Sequence, residues 1–159
     1  DNAGKILDQG CGTGEYSLLF GERYTGLDFN KDYIEHARKK YPGIFIHGSA
    51  VSMDSLIDNS FDVVYSVGLY HHLQNDEAKK AIEETLRVTK KGGRILIIDA
   101  MLPKNPLNII GFILRKMDRG GNVRKVEDTL KLLPSDIKFK KEIISSYPFD
   151  FVTIMIDKE

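Results

Sequence analysis

Apolar runs and helical stripes alternate along the chain. Lys5-Ile6-Leu7-Asp8 is short, apolar and followed by a glycine cluster, which predicts a buried strand. Tyr16, Leu18, Leu19 and Phe20 suit a short helix after that cluster. A second strand is predicted over 23–28, ending in Asp28. Asn30 is a good N-cap, because its side-chain oxygen can accept from free helix N–H groups. Tyr33, Ile34 and Ala37 then form a helical stripe up to Tyr41-Pro42. Ile44-Phe45-Ile46 reads as a third strand and 61–67 as a fourth. From Asp76 to Lys90, Ala78, Ala81, Ile82, Leu86 and Val88 recur on one face among charged neighbours, an amphipathic helix that Gly92-Gly93 stops. The fifth strand is predicted over 94–99.

The pattern changes after Met101. Pro103 and Pro106 break the chain, and helices are predicted over 107–117 and 126–133, around the loop Arg119-Gly120-Gly121. Two strands follow, over 139–145 and 149–156, joined so tightly at Tyr147-Pro148 that they must run antiparallel. Seven strands alternating with helices predict one α/β domain over 1–159, a doubly wound, mostly parallel sheet with helices on both faces. Within it, 103–133 is a long insert near the carboxyl edge of the sheet, where lids and acceptor pockets are commonly built.

Composition narrows the choice. The 159 residues suffice for one sizeable core. Lys+Arg and Asp+Glu both number 23, so there is no basic excess of the kind nucleic-acid binding uses. A single cysteine, Cys11, makes no internal disulfide and fits a reducing, cytoplasmic setting. No run approaches the roughly 18 apolar residues of a transmembrane segment. The chain begins at Asp1 rather than Met and runs almost at once into a strand, so residues upstream of Asp1 are expected in the natural chain.

The glycine cluster carries the first chemistry. Asp8-Gln9-Gly10-Cys11-Gly12-Thr13-Gly14 lies between strand and helix, where glycine lets the backbone approach a ligand closely. A plain strand-to-helix connector is the bland alternative. Glu15 stands where a dinucleotide fingerprint wants its third glycine, and its charge would oppose a pyrophosphate at the helix start. No Gly-Lys-Ser/Thr follows, so the turn is not a P-loop. Asp8 beside the turn can attract a cationic amino group, and Asp28 one strand further on can hold ribose hydroxyls. This combination describes a ligand with a ribose, an amino acid part and no phosphate, a description that S-adenosylmethionine (SAM) fits.

The resemblance then becomes specific. Ile6-Leu7-Asp8-x-Gly10-Cys11-Gly12-Thr13-Gly14 resembles the first motif of the class I, Rossmann-like SAM-dependent methyltransferases, and Thr25-Gly26-Leu27-Asp28-Phe29-Asn30 their second. Asn59-Ser60-Phe61-Asp62-Val63-Val64 with Leu69-Tyr70-His71-His72-Leu73 resembles the fourth-strand segment of the small-molecule branch. Leu86-Arg87-Val88-Thr89-Lys90-Lys91-Gly92-Gly93 resembles the helix and turn before the fifth strand. The resemblance implies an antiparallel C-terminal hairpin at one edge of the sheet and a helix upstream of the first strand. It implies that Gly10, Gly12 and Gly14 wall the methionine and ribose, with Cys11 in the turn, and that Asp28 holds the ribose, with Phe29 beside it. Ser49 stands where the family often has an acid for the adenine amino group, and Ala50 offers a backbone N–H. Ser66 and Val67 would border the methionine end.

Methyl transfer from a sulfonium is an in-line displacement, in which the protein mainly orients the acceptor and excludes water. Tyr70, His71 and His72 follow the fourth strand at the mouth of the expected site, and either histidine can serve as a general base. Capping or packing is the competing role for that pair. Adjacent histidines point apart with no acid or thiol cluster beside them in sequence, so no metal site is expected. The acceptor is expected to be a small molecule, apolar or anionic. The run Ile109, Ile110, Phe112, Ile113, Leu114 suits a lid, a core helix or a lipid contact, and Arg119, Arg124 and Lys125 can attract an anion. Alternatives are a SAM-binding module without catalysis within a larger protein, and a nicotinamide oxidoreductase, which Glu15 disfavours. No Asn/Asp-Pro-Pro-Tyr signature follows the fourth strand, which disfavours amino-group methylation of adenine or glutamine.

Overall fold

A computed structural model describes residues 4–159. Its strands are β1 (Ile6–Gln9), β2 (Tyr24–Asp28), β3 (Ile44–His47), β4 (Phe61–Val67), β5 (Thr89–Met101), β6 (Lys140–Ser146) and β7 (Phe149–Asp157). They form one sheet in the order β3-β2-β1-β4-β5-β7-β6. The first five are mutually parallel. β7 runs antiparallel to β5, and β6 antiparallel to β7, so the late hairpin closes one edge as expected. β1 lies between β2 and β4 and is buried at every residue, which explains its unbroken apolar start.

The helices are α1 (Ser17–Phe20), α2 (Lys31–Lys40), α3 (Asn75–Val88), α4 (Ile109–Lys116) and α5 (Val126–Leu130). Asn30 caps α2, its side-chain oxygen accepting from the N–H groups of Asp32 and Tyr33 at 3.0 and 3.2 Å. Glu77 accepts from the Gln74 N–H at 2.8 Å and fixes the start of α3. The α3 stripe of Ala78, Ala81, Ile82 and Val88 packs with Leu7, Val64, Ile95 and Ile154 on one side of the sheet. On the other side, Ile34 and Ala37 of α2 pack with Ile6, Tyr24, Phe45 and Tyr65.

Three boundaries move from their expected places. α3 ends at Val88, before the glycine pair, because Thr89 is fully buried and already pairs with Phe61 of β4. A register shift between Phe61 and Val63 then absorbs Lys90 to Gly93, so the glycines serve a bulge inside β5 and not a helix stop. α4 begins at Ile109 because Asn108 caps it, accepting from the Gly111 N–H at 2.9 Å. α5 ends at Leu130, short of the expected Leu133.

The segment after β5 is stitched back onto the turn that follows β4. Arg124 donates to the Tyr70 carbonyl at 2.9 Å, to the Leu73 carbonyl, and to the Asn75 side chain at 2.9 Å. The Asn122 N–H donates to the His71 carbonyl at 3.0 Å. Arg124, read from sequence as an anion attractor, is therefore committed to backbone carbonyls.

Candidate active site

A cavity of about 820 Å³ opens at the carboxyl ends of β1, β2 and β4, where the strand order reverses direction. This is the place and the size at which open α/β sheets hold small ligands. One wall is built by the turns after β1, β2 and β3: Gly10, Gly12, Asp28, Phe29, Ser49 and Ala50. The facing wall comes from the segment after β4 and the late loop: Gly68, Leu69, His72, Leu73, Arg119 and Gly120.

The glycine turn is held by the protein itself. The N–H groups of Gly10 and Cys11 both donate to the Leu27 carbonyl, at 2.8 and 3.0 Å. The Gly12 N–H donates to one Asp28 carboxylate oxygen and the Asn30 N–H to the other, each at 2.8 Å. A carboxylate accepts about four hydrogen bonds, so Asp28 retains acceptor capacity toward the cavity it lines. Gly12 lines the cavity, and a Cβ added there, where φ is +54°, would meet no protein atom within 4 Å. These features fit a nucleoside-bearing ligand: sugar acceptors on one side and a bare backbone for close approach.

Other expected cofactor residues stand elsewhere. Gly14 is a packing residue: a Cβ there would lie 2.5 Å from the Phe45 ring and 2.9 Å from the Ala37 Cβ. Cys11 faces inward against Gly26, and burial pushes its thiol well above the ordinary range. Asp8 is buried behind the turn and accepts from the hydroxyls of Tyr24 and Tyr65 at 2.7 and 3.0 Å. Burial pushes its carboxyl up to about 6, against the lowering effect of those two hydrogen bonds. Ser66 is buried with an unpartnered hydroxyl, and Val67 packs at the edge of the cluster around Tyr65; neither is on the cavity wall.

The Tyr70-His71-His72 triplet divides. Tyr70 lies in the core, its hydroxyl donating to the Gln9 side chain at 3.2 Å, and it does not line the cavity. His71 is buried behind the wall. Its Nδ1 lies 2.6 Å from Asp99 and its Nε2 3.5 Å from Asp118, with Gly120 packed against the ring. His72 alone reaches the cavity, its ring centroid 4.1 Å from that of His71. Burial, and then the neighbouring His71, hold the His72 imidazole below its usual pKa. Asp99 and Asp118 were missed from sequence. Asp99 follows the apolar run Ile95–Ile98, the same signal of an acid after an apolar run that marked Asp28.

The sheet, with β7 reversed between β5 and β6 and its glycine turn at the switch point, is that of the Rossmann-like methyltransferase fold. Residues 7–97, more than half of the chain, match a family model described as a methyltransferase domain. The chain belongs to that family. It is 37% identical over 107 residues to the demethylmenaquinone methyltransferase of Chlorobaculum parvum, covering 65% of this chain and 44% of that protein. The chain thus spans less than half the length of the curated relatives it matches. In fold it is similar to a SAM-dependent methyltransferase from Methanosarcina mazei (TM-score 0.74, 20% identical, 99% of this chain and 94% of that one). It is also similar to the geranyl diphosphate C-methyltransferase of Streptomyces coelicolor, solved with S-adenosyl-L-homocysteine (TM-score 0.77, 12% identical, 98% of this chain and 74% of that one).

Proposed function

We propose that the chain transfers a methyl group from SAM to a small, largely apolar acceptor. The observation that carries this reading is the meeting, in one cavity, of the Asp28 carboxylate and the open face of Gly12 with a wall of Leu69, Leu73 and His72. Asp28 would hold the ribose hydroxyls, with Phe29 beside it, and Gly10 and Gly12 would lie against the sugar and methionine. Ser49 and the Ala50 backbone would meet the adenine. SAM supplies an activated methyl, so the chain's residues need only orient the acceptor, exclude water and manage one proton. Leu69 and Leu73 exclude water from the acceptor side. His72, kept neutral by its surroundings, takes the acceptor's proton, and Arg119 offsets negative charge on the acceptor. The relatives named demethylmenaquinone methyltransferases support an apolar ring as the acceptor class.

The test is transfer of label from methyl-labelled SAM to organic-extractable product in the presence of demethylated naphthoquinols. Product is expected, and His72→Asn should lower its rate by about 10²-fold with little change in S-adenosyl-L-homocysteine affinity. Tight binding of that product without labelling of any apolar acceptor would overturn methyl transfer and leave a binding module.

A further inference from the structure

α4 turns its apolar side outward. Ile109, Ile110, Ile113 and Leu114 are 65, 53, 53 and 40% exposed, and Leu107 and Met117 at its ends are 81 and 75% exposed. Their spacing places them along one helical face, while Gly111 and Arg115 occupy the buried face. Packing fixes this orientation. A Cβ at Gly111 would lie 2.3 Å from the Pro148 carbonyl oxygen, so the helix sits directly on the β6–β7 turn. The Arg115 guanidinium is held between the rings of Phe149 and Phe151, at 4.6 and 4.9 Å from their centroids. The stripe cannot roll inward without pulling a buried arginine out of its aromatic slot.

The rim of the stripe is cationic. Lys104 and Lys116 are exposed at its two ends. Between Met101 and Val126 the sole acid is Asp118, which turns inward to the Gly120 N–H at 2.9 Å and toward His71. Beside Leu107 lies a shallow cleft of about 490 Å³ bordered by Lys104, Asn105, Ser145 and Tyr147. Its acid, Asp150, already accepts from the Lys104 N–H at 2.8 Å. Tyr147 stands 76% exposed next to the stripe. The exposed acid nearest this rim is Glu127, which shares a cleft with Lys104, Lys125 and Phe112; an apolar stripe on a short helix, an exposed tyrosine and lysines at both ends match an anionic bilayer interface. A second copy matches poorly. Two-fold pairing would set one lysine rim against the other, and one eight-residue helix offers much less than the roughly 800 Å² per partner of a stable dimer.

We infer that α4 and its flanks are a docking surface for anionic phospholipid, with the isoleucine stripe among the headgroups and Lys104 and Lys116 against phosphates. This surface lies outside the cavity wall, and its test needs neither SAM nor an acceptor. The full chain is sedimented with phosphatidylcholine vesicles, with and without about a quarter phosphatidylglycerol. Binding is expected to be on the order of tenfold stronger to the anionic vesicles and to weaken with salt. Ile110→Asp with Ile113→Asp, and separately Lys104→Gln with Lys116→Gln, should each reduce it by on the order of tenfold, with circular dichroism and melting temperature unchanged. The inference is overturned if the wild-type chain stays in the supernatant with both vesicles, or if either folded double variant binds as well as wild type. It is equally overturned if the wild-type chain dimerises and the isoleucine variant abolishes dimerisation, which would assign the stripe to a second copy.

Discussion

A methyl group added at Gly12 meets no protein atom, whereas one added at Gly14 collides with Phe45 and Ala37. Gly12→Ala should therefore cost about 1 kcal/mol of stability for its left-handed backbone, yet lower S-adenosyl-L-homocysteine affinity at least about tenfold by occupying the cavity. Gly14→Ala should cost about 2–4 kcal/mol, because overpacking adds to the backbone strain. Urea unfolding and calorimetry on the same two variants would separate these outcomes. Both glycines fit one motif, and the sequence could not tell the ligand-facing residue from the packing one. Asp8 carries a second residue-scale consequence. Its carboxyl is raised from 3.8 to about 6 in the fold, so its favourable contribution is complete below pH 4 and is lost as pH rises through about 6. Asp8→Asn should then stabilise the chain at pH 7.5 by about 2–3 kcal/mol and do little near pH 4, as read by melting at the two pH values. His72 works in the opposite sense. With His72 as the proposed base, a lowered imidazole pKa keeps its neutral form available at more acidic pH, so the rising limb of the rate profile should fall below pH 6.5 and vanish in His72→Asn.

The turn after β4 shows why the triplet was hard to read at the level of elements. Three consecutive polar-tipped rings look alike in sequence, but the 3-10 turn over Tyr70–His72 sends the first two inward and the third into the cavity. That division depends on the late loop that lands on the turn through Arg124 and Asn122, a contact no local pattern announces. The strand–helix alternation, the Asn30 cap and the terminal hairpin were legible because each rests on local chemistry: periodicity, a capping side chain, a tight connection. The bulge in β5 was not, because it depends on register with β4. Arg124→Ala removes three hydrogen bonds from the loop and should cost about 2–3 kcal/mol locally. Hydrogen exchange should then quicken over 118–124 and 70–73 while β1, β4 and β5 keep their protection.

Across the whole molecule, the strand order brings together residues far apart in the chain. Asp28 and Gly12 come from the first turns, His72 from the middle and Arg119 from the late insert, and all four line one cavity at the switch point of the sheet. The parallel half of the sheet and the acid that closes β2 were readable from sequence, since buried strands and strand-end acids leave short apolar runs with a charged stop. The facing wall was only partly readable, because it is assembled from two segments about a third of the chain apart. The loop's anchoring also brings Arg119 and Gly120 to the cavity wall. Calorimetric titration of S-adenosyl-L-homocysteine into the wild-type chain and into Asp28→Ala bears most directly on the site. One-to-one uptake by the wild type, weakened about 10²-fold or more in Asp28→Ala, is the expected result. No uptake by a folded wild-type chain, or equal uptake by the two, would contradict it.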